Sequence, residues 1–112
     1  PAIFVNQAGL VTNCTVQGNF GSGIVCSTGN YIAGNNISSN VHHGLWATAG
    51  GNRIESNNLV SNGSFGILAG GSNFIVKNSA SGNGTGDFYG AGGGTAPIET
   101  GTVTNAISNV SY

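Results

Sequence analysis

The feature that most constrains this chain is an internal repeat with a period of 21 or 22 residues. A short apolar cluster recurs five times, as AIFV at 2–5, GIVC at 23–26, GLWA at 44–47, GILA at 66–69 and DFYG at 87–90. A second column of aliphatic residues follows nearly the same period: Leu10, Ile32, Ile54 and Ile75. Two interleaved columns that share one period indicate a solenoid of stacked coils.

The short apolar stretches favour strands over helices. Glycines and asparagines interrupt each repeat every four to six residues and leave apolar stretches of only two to four residues, which is unfavourable for helices. A coil of 21 or 22 residues can hold three short strands and three turns, stacked ~4.8 Å from its neighbour. We therefore predict an all-β fold, a single-stranded parallel β-helix (β-solenoid) of four to five coils over residues 1–90. The interior would be filled by the aliphatic column above and by a second one: Val16, Ile37, Leu59 and Ala80.

Asparagine recurs at the expected corners of these coils. Asn and Gly tolerate the left-handed backbone region best, so we expect the asparagines to adopt it and turn the corners. Stacked amides can also donate to and accept from the amides above and below, which satisfies polar groups that are costly to bury. Three asparagine ladders are predicted: Asn13, Asn35, Asn57, Asn78; Asn19, Asn40, Asn62, Asn83; and Asn30, Asn52, Asn73.

The repeat G-N-x-I-x-x-N-x-I-x-x-N followed by G-I, as in GNYIAGNNISSN at 29–40, resembles a known fold. It is similar to the right-handed parallel β-helix repeat of the pectin-lyase-like superfamily, and the resemblance covers residues 1–90. NSASGNGTGDFYGAG at 78–92 resembles the closing, C-terminal coil of such solenoids. The resemblance implies a right-handed coil but no single function, since the superfamily includes polysaccharide lyases and hydrolases, epimerases, phage tailspikes, adhesins and structural solenoids.

Residues 91–112 form a predicted irregular tail. The part from Gly90 to Gly101 is rich in Gly and Thr and contains Pro97, a composition typical of loops. TVTNAISNVSY at 102–112 regains a strand-like pattern. This terminal strand is interpreted as a degenerate last coil, a cap over the open end, or a strand exchanged with a neighbouring molecule, and the three alternatives stay open.

The low charge excludes several partners. Only 4% of the residues are charged, and the net charge is −1. Binding to a phosphate backbone requires several Lys or Arg contacts, so we expect no nucleic-acid partner. No apolar run approaches the ~20 residues of a transmembrane helix, so no membrane span is expected either.

Catalytic and metal sites are not predicted. The resemblance implies enzymes that use clusters of Asp, often with Lys or Arg and sometimes calcium, on the outside of one sheet. Glu55 and Asp87 are one and a half coils apart and would lie on different walls, and Glu99 falls in the tail. Glycoside chemistry needs two carboxylates about 5 to 10 Å apart, and calcium needs several oxygen ligands. His42 and His43 have no evident third ligand, so we expect no enzyme activity, metal or cofactor in this chain, whatever a longer parent protein would do.

Two residue pairs leave alternatives open. Cys14 and Cys26 belong to one coil, and they are either joined by a disulfide across the core or remain two buried thiols. Arg53 and Glu55 flank Ile54 and both point outward. They form either a contact site for a sugar or a partner, or a solvated surface pair that contributes little.

Strand alternation predicts an apolar stripe on one outer wall. If the second residue of each apolar cluster points inward, as Ile24 does in GIVC, the third residue points outward. The stripe would consist of Phe4, Val25, Trp46, Leu68 and Tyr89. Contiguous exposed apolar patches mark interaction sites. The alternatives are that the tail covers the stripe, that another molecule contacts it laterally, or that sugar rings stack on Trp46 and Tyr89.

The ends of a solenoid expose unpaired strand edges that need covering. PAIFV at 1–5 is already a rung, so either an N-terminal portion is missing or another subunit covers it, and the second option would propagate a head-to-tail fibre. We therefore expect a structural, self-associating β-solenoid that assembles head-to-tail or laterally into an extracellular filament or cell-surface layer, as a homo-oligomer. The alternative is a C-terminal fragment of a pectin-lyase-like protein that binds or cleaves polysaccharide, with its catalytic coils upstream of residue 1.

Overall fold

The structure of the protein is a computed structural model that describes residues 1–90, 97–100 and 108–112. Strands of three to five residues, with no helix among the described residues, follow one another along the chain. They are β1 (Ile3–Gln7), β2 (Leu10–Thr12), β3 (Thr15–Gln17), β4 (Ile24–Thr28), β5 (Tyr31–Ala33), β6 (Asn36–Ser38), β7 (Leu45–Ala47), β8 (Arg53–Glu55), β9 (Asn58–Val60), β10 (Phe65–Ala69), β11 (Phe74–Val76), β12 (Ser79–Ser81), β13 (Gly86–Gly90), β14 (Ile98–Thr100) and β15 (Asn109–Ser111).

The strands stack into three parallel sheets. The first sheet has the order β1-β4-β7-β10-β13, the second β11-β8-β5-β2, and the third β14-β15-β12-β9-β6-β3. From β1 to β13, each strand pairs with the strand one coil away, and the pairings among the described residues are parallel. The predicted parallel β-solenoid is confirmed, with about four complete turns and a partial fifth coil.

Aliphatic columns fill the bore because strand residues alternate between the two faces of a sheet. In the second sheet, and in β3, β6, β9 and β12 of the third, the middle residue of each strand points inward. In β7 of the first sheet the alternation is opposite, with Leu45 and Ala47 inward and Trp46 outward. Ile32, Ile54 and Leu59 have no exposed surface. Burying each such side chain contributes roughly 1.5–3 kcal/mol, which is the main driving force for stacking.

The register of the first coil differs from the prediction by one residue in the second sheet. Val11, not Leu10, lies opposite Ile32. Val11 is buried, whereas Leu10 is 67% exposed. The structure aligns the first two coils 21 residues apart at this column, whereas the prediction aligned them 22 residues apart. A shift of one residue along a strand moves a side chain to the opposite face of the sheet. Leu10 was therefore wrongly assigned to the core.

At most ladder positions the corner is turned by the residue immediately before the asparagine. Gly34, Ser56 and Lys77 have positive φ angles of 68°, 56° and 57°, and they immediately precede Asn35, Asn57 and Asn78. The prediction that the asparagines themselves take the left-handed conformation is therefore wrong for these positions. The left-handed residue turns the chain from one sheet toward the next, and the side chain of the following residue points into the interior of the solenoid.

The C-terminal strands continue the third sheet. In β15, Val110 pairs with Ser79 of β12, and β14 then pairs with β15. Within this single chain, β15 therefore lies beside β12, in the position of the third strand of a further coil. Residues 91–96 and 101–107 of the predicted tail lie outside the described residues.

Candidate functional site

Asn57 shows how an interior asparagine of the solenoid satisfies its hydrogen-bonding groups. The backbone N–H and Nδ2 of Asn57 both donate to Oδ1 of Asn78, at 3.0 Å each. Its second Nδ2 hydrogen goes to the carbonyl of Ile32 at 3.0 Å. Its Oδ1 accepts from the backbone N–H and Nδ2 of Asn35, again at 3.0 Å each. Two donors and two lone pairs are satisfied, so a fully buried amide carries no desolvation deficit.

Three such ladders run along the coils, with side chain to side chain distances of 2.8 to 3.0 Å. The predicted asparagine ladders are confirmed, with one member replaced and one added. The ladders are Asn30, Asn52, Asn73; Asn35, Asn57, Asn78, Asn109; and Asn19, Asn40, Asn62, Asn83. In each one the amide donates toward the next coil along the chain.

Asn13 was wrongly assigned to a ladder. It has a φ of 55° and stands at the left-handed corner position, like Gly34 one coil later. Cys14 takes the ladder position, and its backbone N–H donates to Oδ1 of Asn35 at 3.0 Å. The cause is the same one-residue slip that exposes Leu10.

Asn109 is a ladder residue that the periodicity did not reveal. Its Oδ1 accepts from Nδ2 of Asn78 at 3.0 Å, although the two residues are 31 positions apart. The tail that separates them breaks the period. The sequence could have indicated this residue, because Ser108-Asn109-Val110 repeats the order of Ser39-Asn40-Val41 at an earlier corner.

Asp87 ends the third ladder, a role that the sequence did not reveal. Its Oδ1 accepts from Nδ2 of Asn83 at 2.8 Å and from the backbone N–H of Asn83 at 3.4 Å. Its Oδ2 accepts a short hydrogen bond from the hydroxyl of Ser111 in β15. The carboxylate is half-buried and joins the fifth rung of the first sheet to the C-terminal strand.

The outer face of the first sheet carries the predicted stripe in register. Phe4 pairs with Val25, Val25 with Trp46, Trp46 with Leu68, and Leu68 with Tyr89. Phe4, Trp46 and Tyr89 are 64%, 40% and 63% exposed, but Val25 is only 7% exposed. The small Val25 side chain lies between two larger aromatic neighbours in the column. The stripe is therefore interrupted at Val25 and not continuously exposed.

Four rings beside and within the stripe form what we call the aromatic row: Trp46, His43, Phe65 and Tyr89. His43 meets Trp46 edge to face with centroids 5.8 Å apart, and it stacks on Phe65 at 5.9 Å. Phe65 stacks on Tyr89 at 5.0 Å. Nδ1 of His43 accepts a 3.3 Å hydrogen bond from the backbone N–H of Phe65. Partial burial and the neighbouring His42 lower the pKa of His43 below its usual value, which favours the neutral ring.

Arg53 and Glu55 are paired on the outer face of the second sheet. Nη2 of Arg53 lies 3.0 Å from Oε2 of Glu55, and the guanidinium carbon lies 4.7 Å from the centre of the Phe74 ring. Oε1 of Glu55 accepts a short hydrogen bond from the hydroxyl of Tyr31. The hydrogen bonds from Arg53 and Tyr31 lower the pKa of Glu55, and the bond to Glu55 raises that of Tyr31. Both carboxylate oxygens accept hydrogen bonds within the chain, and the guanidinium group of Arg53 lies over an aromatic ring.

Both cysteines are free thiols. Burial raises the pKa of Cys26 to about 12, and Cys14 donates to the carbonyl of Thr12 at 3.3 Å. The sequence allowed either a disulfide between Cys14 and Cys26 or two thiols, and the structure contains the two thiols.

The two carboxylates of the solenoid that the sequence singled out lie apart among the described residues. Glu55 lies on the second sheet, while Asp87 is engaged by the third ladder and by β15. Within residues 1–90, 97–100 and 108–112, no three His, Cys, Asp or Glu side chains are grouped so as to hold a metal ion. The same part of the chain contains no helix that is long and apolar enough to cross a membrane.

The stacked parallel sheets and the saturated amide ladders define the class of protein, a parallel β-solenoid. The family described as the right-handed beta helix region matches residues 1–109, and the chain belongs to that family. Comparison with curated proteins and with solved structures gave no significant match.

Proposed function

We propose that this protein is a structural β-solenoid that associates with copies of itself through the outer face of its first sheet. The observation that supports this proposal most directly is the in-register apolar column on that face, with Phe4 and Tyr89 each more than 60% exposed and Trp46 40% exposed. Large aromatic side chains are the residues that most often dominate the binding energy of protein interfaces. An exposed apolar column of this kind is typical of an interaction surface.

The charge distribution favours a second copy as the partner. Arg53, Glu55 and Lys77 lie on or beside the second sheet, and Asp87 is bonded to ladder and tail groups. The stripe itself contains no charged residue. Two such faces can therefore meet in a symmetric contact without like-charge repulsion.

The setting of this association is part of the same proposal. A lateral contact between solenoids produces paired or sheet-like assemblies, which suit a filament or a surface layer outside the cell. The protein acts as a scaffold and not as an enzyme in this proposal. Finding the intact protein in a cytoplasmic fraction would contradict the proposed location outside the cell, but it would not bear on the proposed contact between first sheets.

Sedimentation velocity over a wide concentration range tests the contact. We expect the sedimentation coefficient of the wild-type chain to rise with concentration, and a Trp46→Ser/Tyr89→Ser double variant to stay monomeric. Phe74→Ser is the matched control because Phe74 is also an exposed aromatic residue, 44% accessible, but on the second sheet. A wild-type chain that remains monomeric at millimolar concentration, or a control that loses association equally, would overturn the proposal.

A second candidate function is saccharide binding on the same face. The aromatic row extends the stripe sideways, and the exposed Thr48, whose hydroxyl donates to the carbonyl of Cys26 at 3.3 Å, follows directly after β7. Aromatic rings with nearby hydroxyl groups suit sugar rings. Co-sedimentation with insoluble neutral and acidic polysaccharides distinguishes this function, because retention of a dilute monomer that is lost in the double variant supports it.

A further inference from the structure

The asparagine ladders have a direction, so their two ends differ chemically. Each ladder amide donates from its backbone N–H and Nδ2 to the Oδ1 of the next coil, as Asn62 does to Asn83. The last asparagine of a ladder therefore presents two donors at the C-terminal end. These donors are the groups to which the Oδ1 of a further coil would bind.

Asp87 supplies a hydrogen-bond acceptor for the two donors of Asn83, and it offers no donor with which the ladder could continue. Ionised carboxylates only accept hydrogen bonds, whereas an asparagine would accept on one side and donate onward on the other. Oδ1 of Asp87 lies 2.8 Å from Nδ2 of Asn83. The second oxygen is engaged by Ser111, so neither oxygen needs a partner from another coil.

The position of Asp87 in its column supports this role. It follows Asn83 by four residues, as Gly23, Gly44 and Gly66 follow the other members of the third ladder. A Cβ added at Gly23, Gly44 or Gly66 would lie 2.9, 2.8 and 2.8 Å from the Nδ2 of a ladder asparagine. Where a ladder continues to the next coil, only glycine fits at this position. Asp87 occupies the same position after Asn83, the last asparagine of the third ladder, and its side chain fills the space where a further amide would lie.

We infer that Asp87 closes the C-terminal end of the solenoid against a second copy of this chain. It does so by ending the third ladder on a carboxylate and by fastening β15 across the end through Ser111. If the proposed self-association holds, on which this consequence rests, copies join side by side through the first sheet and not through the C-terminal end.

Substitution of Asp87 tests the closure. Asp87→Ala leaves the donors of Asn83 without an acceptor and releases Ser111, whereas Asp87→Asn keeps an oxygen for Asn83. Glu55→Gln is the matched control, since it removes the same charge from the second sheet. All three variants are compared with the wild type by hydrogen exchange at the amides of Val110 and Tyr112, which bond to the carbonyls of Asn78 and Ala80.

We expect Asp87→Ala to accelerate exchange at these two amides about tenfold or more, the size expected for loss of a charge-assisted hydrogen bond. We also expect end-to-end particles of this variant in electron micrographs. Asp87→Asn keeps an acceptor for Asn83 and should exchange closer to the wild type, but it should also form end-to-end particles because its amide can donate onward. Glu55→Gln should match the wild type in both measurements. Equal exchange and equal particle length in Asp87→Ala and Glu55→Gln would overturn the inference.

A milder variant covers the case in which Asp87→Ala does not fold. Ser111→Ala keeps the bond between Asn83 and Asp87 and removes only the link to β15. Exchange at Val110 and Tyr112 should again accelerate about tenfold, and unchanged exchange would overturn the inference.

The two proposals fail in different ways. A wild-type chain that stays monomeric while Asp87→Ala elongates end to end contradicts the lateral contact and supports the closure. Wild-type rods joined at the C-terminal end contradict the closure, even though the chain associates.

Discussion

The interior of this solenoid repeats the same residue types from coil to coil, whereas the outer face of its first sheet does not. Inside, like residues stack on like, and Asn57 exchanges hydrogen bonds with the asparagines of both adjacent coils. Outside, the column changes at every coil and runs through phenylalanine, valine, tryptophan, leucine and tyrosine. The difference separates two tasks, since uniform stacking fixes the register of the fold, while the varied exposed surface is available for recognition.

The largest expected effect is the loss of one interior amide. Asn57→Ala removes the acceptor of the Asn35 backbone N–H and Nδ2 and the donor to the carbonyl of Ile32. Each buried group left unpaired costs roughly 1–3 kcal/mol, so we expect a loss of about 4 kcal/mol in the free energy of unfolding. This is a large part of the stability of a small domain, and urea denaturation measures it.

The adjacent asparagine supplies the matched control. Asn58 points outward and bonds to Asn36 and Ser79 at 3.1 Å each, at partly exposed positions. Asn58→Ala should cost about 0.5 kcal/mol because water can replace its partners. Equal losses in the two variants would contradict the distinction between interior and surface amides.

A smaller effect should appear as a pH dependence from the aromatic row. The pKa of His43 in the folded chain lies below its ordinary value of 6.5, so the unfolded chain binds more protons as the pH falls through 6.5. The contribution of His43 to stability is complete above about pH 6.5 and declines as the pH decreases toward its folded-state pKa. Melting temperatures measured from pH 7.5 to 5 should therefore fall less steeply in His43→Phe, which keeps a ring in the row. Identical pH profiles would exclude His43 as the cause.

The smallest expected effect concerns a corner. Ala8 has a φ of 49° and stands before Gly9, at the position that Gly29 occupies one coil later. Ala8→Gly relieves the steric cost of a left-handed alanine, partly offset by the greater freedom of glycine in the unfolded chain, for a net gain of about 0.5 kcal/mol. Thermal unfolding compared with the wild type measures this gain, and a destabilised variant would show that the corner is not strained.

The sequence predicted the fold because the interior repeats with a nearly fixed period. The ladders through Asn35, Asn57 and Asn78 were visible for the same reason. Asn13 was misassigned because coils of 21 and 22 residues both align an asparagine with the column, and only the backbone angle distinguishes a corner residue from a ladder residue. Asn109 was missed because the tail breaks the period.

The surface was less predictable than the interior. Strand alternation placed the stripe in register, but the burial of Val25 depends on the size of its neighbours. The aromatic row depends on how the corner before Gly44 brings His43 beside Trp46, which no strand period describes. Asp87 was weighed as a catalytic carboxylate, and its role as a ladder end required the contacts to Asn83 and Ser111.

The central claim is that the exposed face of the first sheet is where copies of this chain meet, and Trp46 reports on that face directly. It is the single tryptophan of the chain, and it is 40% exposed. Its fluorescence and its quenching by acrylamide can be measured from nanomolar to millimolar protein. We predict a shift of the emission to shorter wavelength and a loss of quenching as the protein concentration rises. Unchanged emission and quenching over that range, in a sample whose sedimentation coefficient increases, would show that the copies meet elsewhere and would contradict a contact through the first sheet.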